Sequence, residues 1–142
     1  MSVTELDQAL SDAAAEVLET MFFTSITADV DAAASPDASW ISASLTFHGK
    51  PSGGFGISVP AITGRKIAAS FLGTDETETT GPQIGQVVCE LTNMLCGSVL
   101  SRIEKDTLFD LASPQLNGEP GPSPFVVHVD EGPVAMWIQF DS

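Results

Sequence analysis

The most constraining feature of this chain is the stretch from Pro82 to Lys105, whose apolar residues recur with the period of a helix. One face of the predicted helix collects the residues that suit a protein core: Val88, Leu91, Thr92, Leu95, Val99 and Ile103. The opposite face is polar or bare and holds Gln86, Glu90, Asn93, Gly97, Ser101 and Glu104. The pattern predicts a long helix that packs on the core with one face and leaves the other free.

The polar face of this predicted helix carries a carboxylate and an amide close together. Glu90 and Asn93 are three residues apart, so their side chains are neighbours on a helix. Gly97 lies one turn further along the same line, and a mid-helix glycine costs about 1 kcal/mol relative to alanine. Close approach of another backbone would account for that glycine. The pattern therefore suggests a docking face that carries chemistry, and the alternative is an ordinary solvated helix face.

Periodicity in the rest of the chain predicts two more helices and six strands. The helices are expected at residues 2–23 and 62–72, and the strands at 24–32, 40–48, 55–59, 108–112, 125–130 and 134–140. The first three strands are expected to form an antiparallel meander, and the proline-rich residues 113–124 a long loop. The order α-β-β-β-α-α-β-β-β predicts an α+β fold, an antiparallel sheet of about six strands with helices packed on one face. We expect one domain over residues 1–142.

The charge balance excludes several classes of partner. The chain has 19 acidic residues against 5 basic ones, for a net charge of −14. Nucleic-acid binding relies on Lys and Arg to neutralise phosphates, and anionic membranes attract the same residues. No apolar run approaches the roughly 20 residues that span a bilayer, and the first residues lack the basic side chains of a secretory signal. We expect a cytoplasmic protein with neither nucleic acid nor membrane as a partner.

Other common chemistries find little support in the sequence. Cys89 and Cys96 would lie roughly 10 Å apart along a helix axis, too far for a disulfide. His48 and His128 fall on predicted strands, with no spacing typical of a metal site or a nucleophile elbow. No glycine-rich phosphate loop precedes a helix. The chain is therefore expected to bind no metal or cofactor of its own.

The segment from Glu90 to Gly97, ELTNMLCG, resembles the E-x-x-N-x-x-x-G signature of the CheC/CheX/FliY family of chemotaxis phosphatases. Three other segments are similar to segments of that family: MFF at 21–23, GFGISVP at 54–60, and LFDLASP at 108–114 with a glycine at 118. The resemblance covers nearly the whole chain and is closest to CheX-like members, which carry one E-x-x-N motif. Ser98 is a departure, since many relatives have asparagine after the glycine.

The resemblance implies a phosphatase that removes the aspartyl phosphate of a CheY-like response regulator in chemotaxis-type signalling. Asn93 would orient the attacking water, and Glu90 would pair with a lysine of the receiver domain. Gln86, Gly97 and Ser101 would contact the partner. The receiver domain, and not this chain, would hold the Mg²⁺ ion.

The resemblance also implies a homodimer, for which the late strands at residues 125–140 are a candidate interface. Two alternatives stay open from the sequence. One is a non-catalytic module of the same fold that binds a receiver domain or acts in the flagellar switch. The other is a purely structural dimeric domain with no receiver partner.

Overall fold

The computed structural model describes residues 3–22, 26–27, 39–104, 106–117 and 125–141. The described helices are α1 (Val3–Met21), α2 (Ala61–Leu72) and α3 (Gly81–Ile103), with a 3₁₀ turn at Glu76–Glu78. The described strands are β1 (Ile26–Thr27), β2 (Trp40–His48), β3 (Gly53–Pro60), β4 (Asp110–Leu111), β5 (Gln115–Asn117), β6 (Phe125–Val129) and β7 (Gly132–Phe140). The α+β fold and the predicted element order are confirmed. Most of the predicted strand at 24–32 lies outside the described residues.

The sheet is antiparallel, with strand order β1-β6-β7-β3-β2-β4, and β5 also pairs with β2. The predicted meander of the first three strands is wrong in one respect. β2 and β3 pair, but β1 lies at the far side of the sheet, where Ile26 pairs with Val129 of β6. The free edge of β2 is instead taken by β4 and β5. Alternating apolar and polar residues indicate that a strand is half-buried, but they do not indicate which strand lies beside it.

The core lies between the three helices and one face of the sheet. Alternate residues of β2 face the core, and Ala43 and Phe47 are fully buried there. Their neighbours on the central strands are equally buried, and Ile57 of β3 pairs with Met136 of β7 in this layer. Helix α3 packs against β2, β3, α1 and α2, so it is the central element of the core.

The predicted core face of α3 is confirmed. Leu91, Leu95 and Val99 are completely buried, and Ile103 is half-buried at the end of the helix. Thr92 is the polar exception on this face. Its hydroxyl is buried and donates a hydrogen bond of 2.7 Å to the carbonyl of Val88, so the polar atom is satisfied within the helix.

By length and composition alone, α3 is long enough and apolar enough to cross a membrane. This differs from the expectation that no apolar run is long enough. It is the one such helix among the residues described, and more than half of its apolar stretch is buried inside the protein. The burial of its apolar face in the domain core accounts for its composition.

The segment after α3 differs from the prediction. The strand expected at 108–112 is reduced to Asp110–Leu111, and the expected loop contains β5. Leu111 pairs with Phe47 and Gln115 with Ser44, so residues 112–114 stand opposite only two residues of β2. This surplus is a β-bulge, which we call the 112–114 bulge. Pro114 lies within it and has no N–H to donate to a ladder, which explains why the edge strand is interrupted there.

Helix α3 begins with a capping box. The backbone N–H of Gln83 donates to the Thr80 hydroxyl at 3.3 Å, and the Thr80 N–H donates to the Gln83 side-chain oxygen at 2.9 Å. We expect Thr80→Ala to lower the free energy of unfolding by about 1 kcal/mol, because the Gln83 N–H loses its partner. Urea denaturation measures the change. Thr77→Ala, at an exposed position of the 3₁₀ turn, is the control, and equal effects of both substitutions would contradict the capping role.

Candidate functional site

The polar face of α3 forms one side of an open groove of about 860 Å³, which we call the α3 groove. Gln86, Glu90 and Asn93 line it, and all three are exposed. The opposite side is formed by residues 111–116, which contain the 112–114 bulge. The structure therefore brings together three of the five site residues predicted from the sequence.

The orientation of Glu90 and Asn93 follows from the burial of the residues between them. Leu91 and Thr92 are completely buried, so the rotation of α3 about its axis is fixed and the flanking residues point outward. Within the described part of the chain, neither Glu90 nor Asn93 forms a hydrogen bond or an ion pair. A carboxylate and an amide are thus held on a rigid helix with their polar atoms available to another molecule.

Gly97 and Ser101, the other two predicted site residues, lie on the helix beyond the residues that line the groove. A Cβ placed on Gly97 would meet nothing within 4 Å, so packing inside the chain does not require a glycine there. Ser101 is exposed, and its hydroxyl donates to the carbonyl of Ser98 at 3.1 Å. Ser98 and Arg102 both turn toward Glu16 of α1, so this side of the helix is used for packing within the chain.

The sequence analysis did not identify the second side of the groove. Leu116 of β5 packs directly over Gly85 of α3, where a Cβ would come within 2.9 Å of its Cδ1 atom. A glycine at this position therefore allows β5 to lie close to the helix. The available signal in the sequence was the Ser113-Pro114 pair after the predicted strand at 108–112. This pair indicates that the strand is interrupted, but it does not indicate that the segment lies opposite α3.

The two cysteines have different environments on α3. Cys96 is completely buried, and this burial raises the pKa of its thiol to about 12. Cys89 is half-buried and lines the groove beside Glu90, and burial raises the pKa of this thiol as well. Both are free thiols, as expected. Among the residues described, no group of three or more His, Cys, Asp or Glu side chains is arranged to hold a metal ion.

We expect the Cys96 thiol to react with iodoacetamide only after unfolding, because the thiolate is the reactive form. Its folded-state pKa of about 12 lies above the ordinary value of 9.0, so the folded protein holds this proton more tightly than the unfolded chain. The resulting stabilisation is complete below pH 9.0 and is lost as the pH rises toward 12. Peptide mass spectrometry after labelling with and without urea tests this. Equal labelling of Cys89 and Cys96 in the native protein would contradict it.

Comparison with known families agrees with the motif and the fold. The family model described as "Chemotaxis phosphatase CheX" matches residues 41–119, a range that includes all of α3 and most of both sides of the groove. This range is more than half of the chain, so the chain belongs to the CheX family of chemotaxis phosphatases. A search of curated proteins found no match.

Solved structures of CheX proteins share this fold over nearly the whole chain. CheX from Vibrio vulnificus is 19% identical with a TM-score of 0.72, and the alignment covers 96% of this chain and 97% of that one. CheX from Desulfovibrio desulfuricans is 16% identical with a TM-score of 0.73, over 96% and 99% of the two chains. A third structure is the CheX-CheY-BeF3-Mg+2 complex from Borrelia burgdorferi, with 16% identity and a TM-score of 0.66 over 95% and 97%. At these identities the likeness establishes the fold.

Proposed function

We propose that this protein hydrolyses the aspartyl phosphate of a CheY-like response regulator, with Asn93 and Glu90 as the residues that act on the partner. The observation that carries the proposal is the placement of these two side chains. They are adjacent, exposed and without a partner among the described residues, on the most deeply packed helix of the domain. The family membership and the solved CheX–CheY complex of a relative support the choice of partner.

The reaction requires the enzyme to position a water molecule. The water oxygen attacks the phosphorus atom, the bond between phosphorus and the aspartyl oxygen breaks, and inorganic phosphate and a free aspartate result. Such a transfer depends mainly on positioning and electrostatics. The Asn93 amide suits this task because its oxygen accepts a hydrogen bond from the water while its NH₂ group donates to a phosphoryl oxygen. The Mg²⁺ ion that neutralises the phosphoryl charge would belong to the regulator.

Glu90 would fix the register of docking. A carboxylate three residues from Asn93 lies on the same helix face, so an ion pair with a lysine beside the regulator's phosphate would bring Asn93 to the phosphoryl group. The net charge of −14 would also attract a basic rim on the regulator. In this arrangement Glu90 contributes mainly to binding and Asn93 mainly to the chemical step.

The direct test is release of inorganic phosphate from a phosphorylated receiver domain of the same organism. A catalytic amount of this protein should accelerate release over the receiver's own rate. Measurable binding without acceleration would instead favour a non-catalytic receiver-binding or flagellar-switch module. Failure to bind any receiver domain of the organism would favour a purely structural domain.

For Glu90→Ala we expect weaker docking with the chemical step largely intact. Loss of one charge-assisted contact should raise the half-saturating concentration of phosphorylated receiver roughly tenfold, equivalent to about 1.4 kcal/mol. The rate at saturation should change little. Glu78→Ala removes an exposed carboxylate of the 3₁₀ turn outside the groove and is the matched control. A fall in the saturated rate with unchanged half-saturation would reverse the role assigned to Glu90.

We further propose that the protein acts in the cytoplasm, where receiver domains reside, and as a homodimer that uses the β6–β7 hairpin. Within the described residues, an exposed Val126 on β6 supports an interface there, since it is 43% exposed. Sedimentation at micromolar concentration tests the oligomeric state. Val126→Lys should shift a dimer toward monomer, whereas no change would exclude this hairpin as the interface.

A further inference from the structure

The α3 groove has two sides of different chemistry, and the proposed reaction uses only one of them. The α3 side is polar and carries Gln86, Glu90 and Asn93. The opposite side ends in Leu116, a large apolar side chain that is 55% exposed although it belongs to a strand. We propose that this second side, residues 112–116, is the specificity-determining contact for the response regulator. This proposal rests on the proposed function.

Three contacts fix the position of the second side relative to Asn93. β5 pairs with β2, with Ala43 opposite Leu116. The start of the bulge is tied to the same strand, since the Ala112 N–H donates to the Thr46 carbonyl at 2.9 Å. Leu116 also lies over Gly85, two turns before Asn93 on α3. A side chain held by both the sheet and the catalytic helix can set the position of a partner that touches it.

The bulge explains why this side faces the groove at all. An uninterrupted β4–β5 strand would run flat along the edge of β2. The extra residue makes the strand bend, and Ala112 and Ser113 are exposed on the groove as a result. Pro114 is half-buried beside them. The surface offered to a partner therefore combines the Ser113 hydroxyl and the Gln115 amide with the apolar side chains of Pro114 and Leu116.

The occupant is the surface of the receiver domain that surrounds its phosphorylated aspartate. Asn93 has to reach the phosphoryl group, so the rim of that site must lie along the polar face of α3, and part of the rim must enter the groove. The rim on the β5 side meets Leu116 and Pro114, which favour an apolar side chain in the regulator. One turn beyond Asn93 on α3, Gly97 leaves open space in which the rim of the regulator's phosphorylation site can approach the helix. Regulators with a charged residue at the β5-side position should be poor substrates.

The test measures binding and turnover separately with Leu116→Ser. Binding is measured with the receiver domain loaded with beryllofluoride and Mg²⁺, and turnover with the phosphorylated receiver. We expect the dissociation constant and the half-saturating concentration to rise about tenfold, with the saturated rate within twofold of the original. Leu108→Ser is the matched control, because Leu108 is 96% exposed and does not line the groove.

The outcomes separate this proposal from the proposed function. Unchanged binding by Leu116→Ser, with an active original protein, would overturn the specificity role and leave the phosphatase intact. Binding that weakens as expected in a protein without turnover would support the contact and overturn the catalytic proposal. No binding by the original protein to any receiver domain of the organism would overturn both. A thermal melt of each variant must match the original, since a loosened β5 would otherwise weaken binding indirectly.

Discussion

Replacing Asn93 by alanine is expected to reduce the acceleration of phosphate release about 100-fold, close to the regulator's own rate. The amide is the group assigned to hold the attacking water, and the other exposed amide in the groove, Gln86, lies on the opposite side of Glu90 along α3. Receiver binding should stay within about threefold of the original, since Glu90 and the second side of the groove are unchanged. Phosphate release at saturating receiver and titration with the beryllofluoride-loaded receiver measure the two quantities.

Two further variants decide whether the amide itself matters. Asn93→Asp keeps the shape of the side chain but removes its donor, so it should lose nearly as much activity as the alanine variant. Gln8→Ala removes an exposed amide on α1, where Gln8 donates to Asp12, and should leave the rate unchanged. Stability should vary by less than about 0.5 kcal/mol in all three, because the sites are exposed. An Asn93→Ala variant with the original rate would remove this residue from the mechanism.

Replacing Phe47 by alanine is expected to lower the free energy of unfolding by about 3–5 kcal/mol. Phe47 is completely buried, and its ring meets those of Phe109 and Phe140 edge-on at centroid distances of 5.9 and 6.1 Å. Phe47 therefore links the sheet to the segment around Phe109, which leads into the groove. For a domain of this size the loss is a large part of the total stability. Urea denaturation followed by tryptophan fluorescence or circular dichroism measures it.

Leu108→Ala is the control for this prediction. Leu108 lies one residue from Phe109 in sequence but is 96% exposed, so its loss should cost less than about 0.5 kcal/mol. Phe47→Leu should fall between the two because it leaves a smaller cavity. A Phe47→Ala variant that unfolds within about 1 kcal/mol of the original would show that the three rings do not hold the segment in place.

The helix pattern predicted the part of the site that depends on local periodicity. Burial of Leu91 and Leu95 determines which face of α3 is outward, so the exposure of Glu90 and Asn93 follows from the sequence alone. The boundaries of β2 were predicted for the same reason, because its alternation is uninterrupted from Trp40 to His48. These features depend on neighbours within one element, and the residues of one element are contiguous in the sequence.

The features that the sequence did not predict depend on contacts between distant segments. The pairing of β1 with β6 joins residue 26 to residue 129, and no local pattern encodes that choice. β5 was missed because Pro114 and the glycines around it are typical of a loop, although Leu116 pairs with Ala43. Leu116 lines the groove because β5 pairs with β2 and because Gly85 has no side chain in its way. Because the groove is formed by two distant segments, the sequence pattern of either segment predicts only one side of it.

The interrupted edge strand has a consequence for how copies of this protein can assemble. β4 and β5 present only two and three residues to the side of the sheet, with a proline between them. A second polypeptide needs a continuous row of backbone N–H and C=O groups in order to extend a sheet, and the described residues on this side do not supply one. Self-association by strand addition is therefore discouraged along the groove. The same discontinuity that shapes the proposed docking surface also disfavours its use as an edge for strand addition.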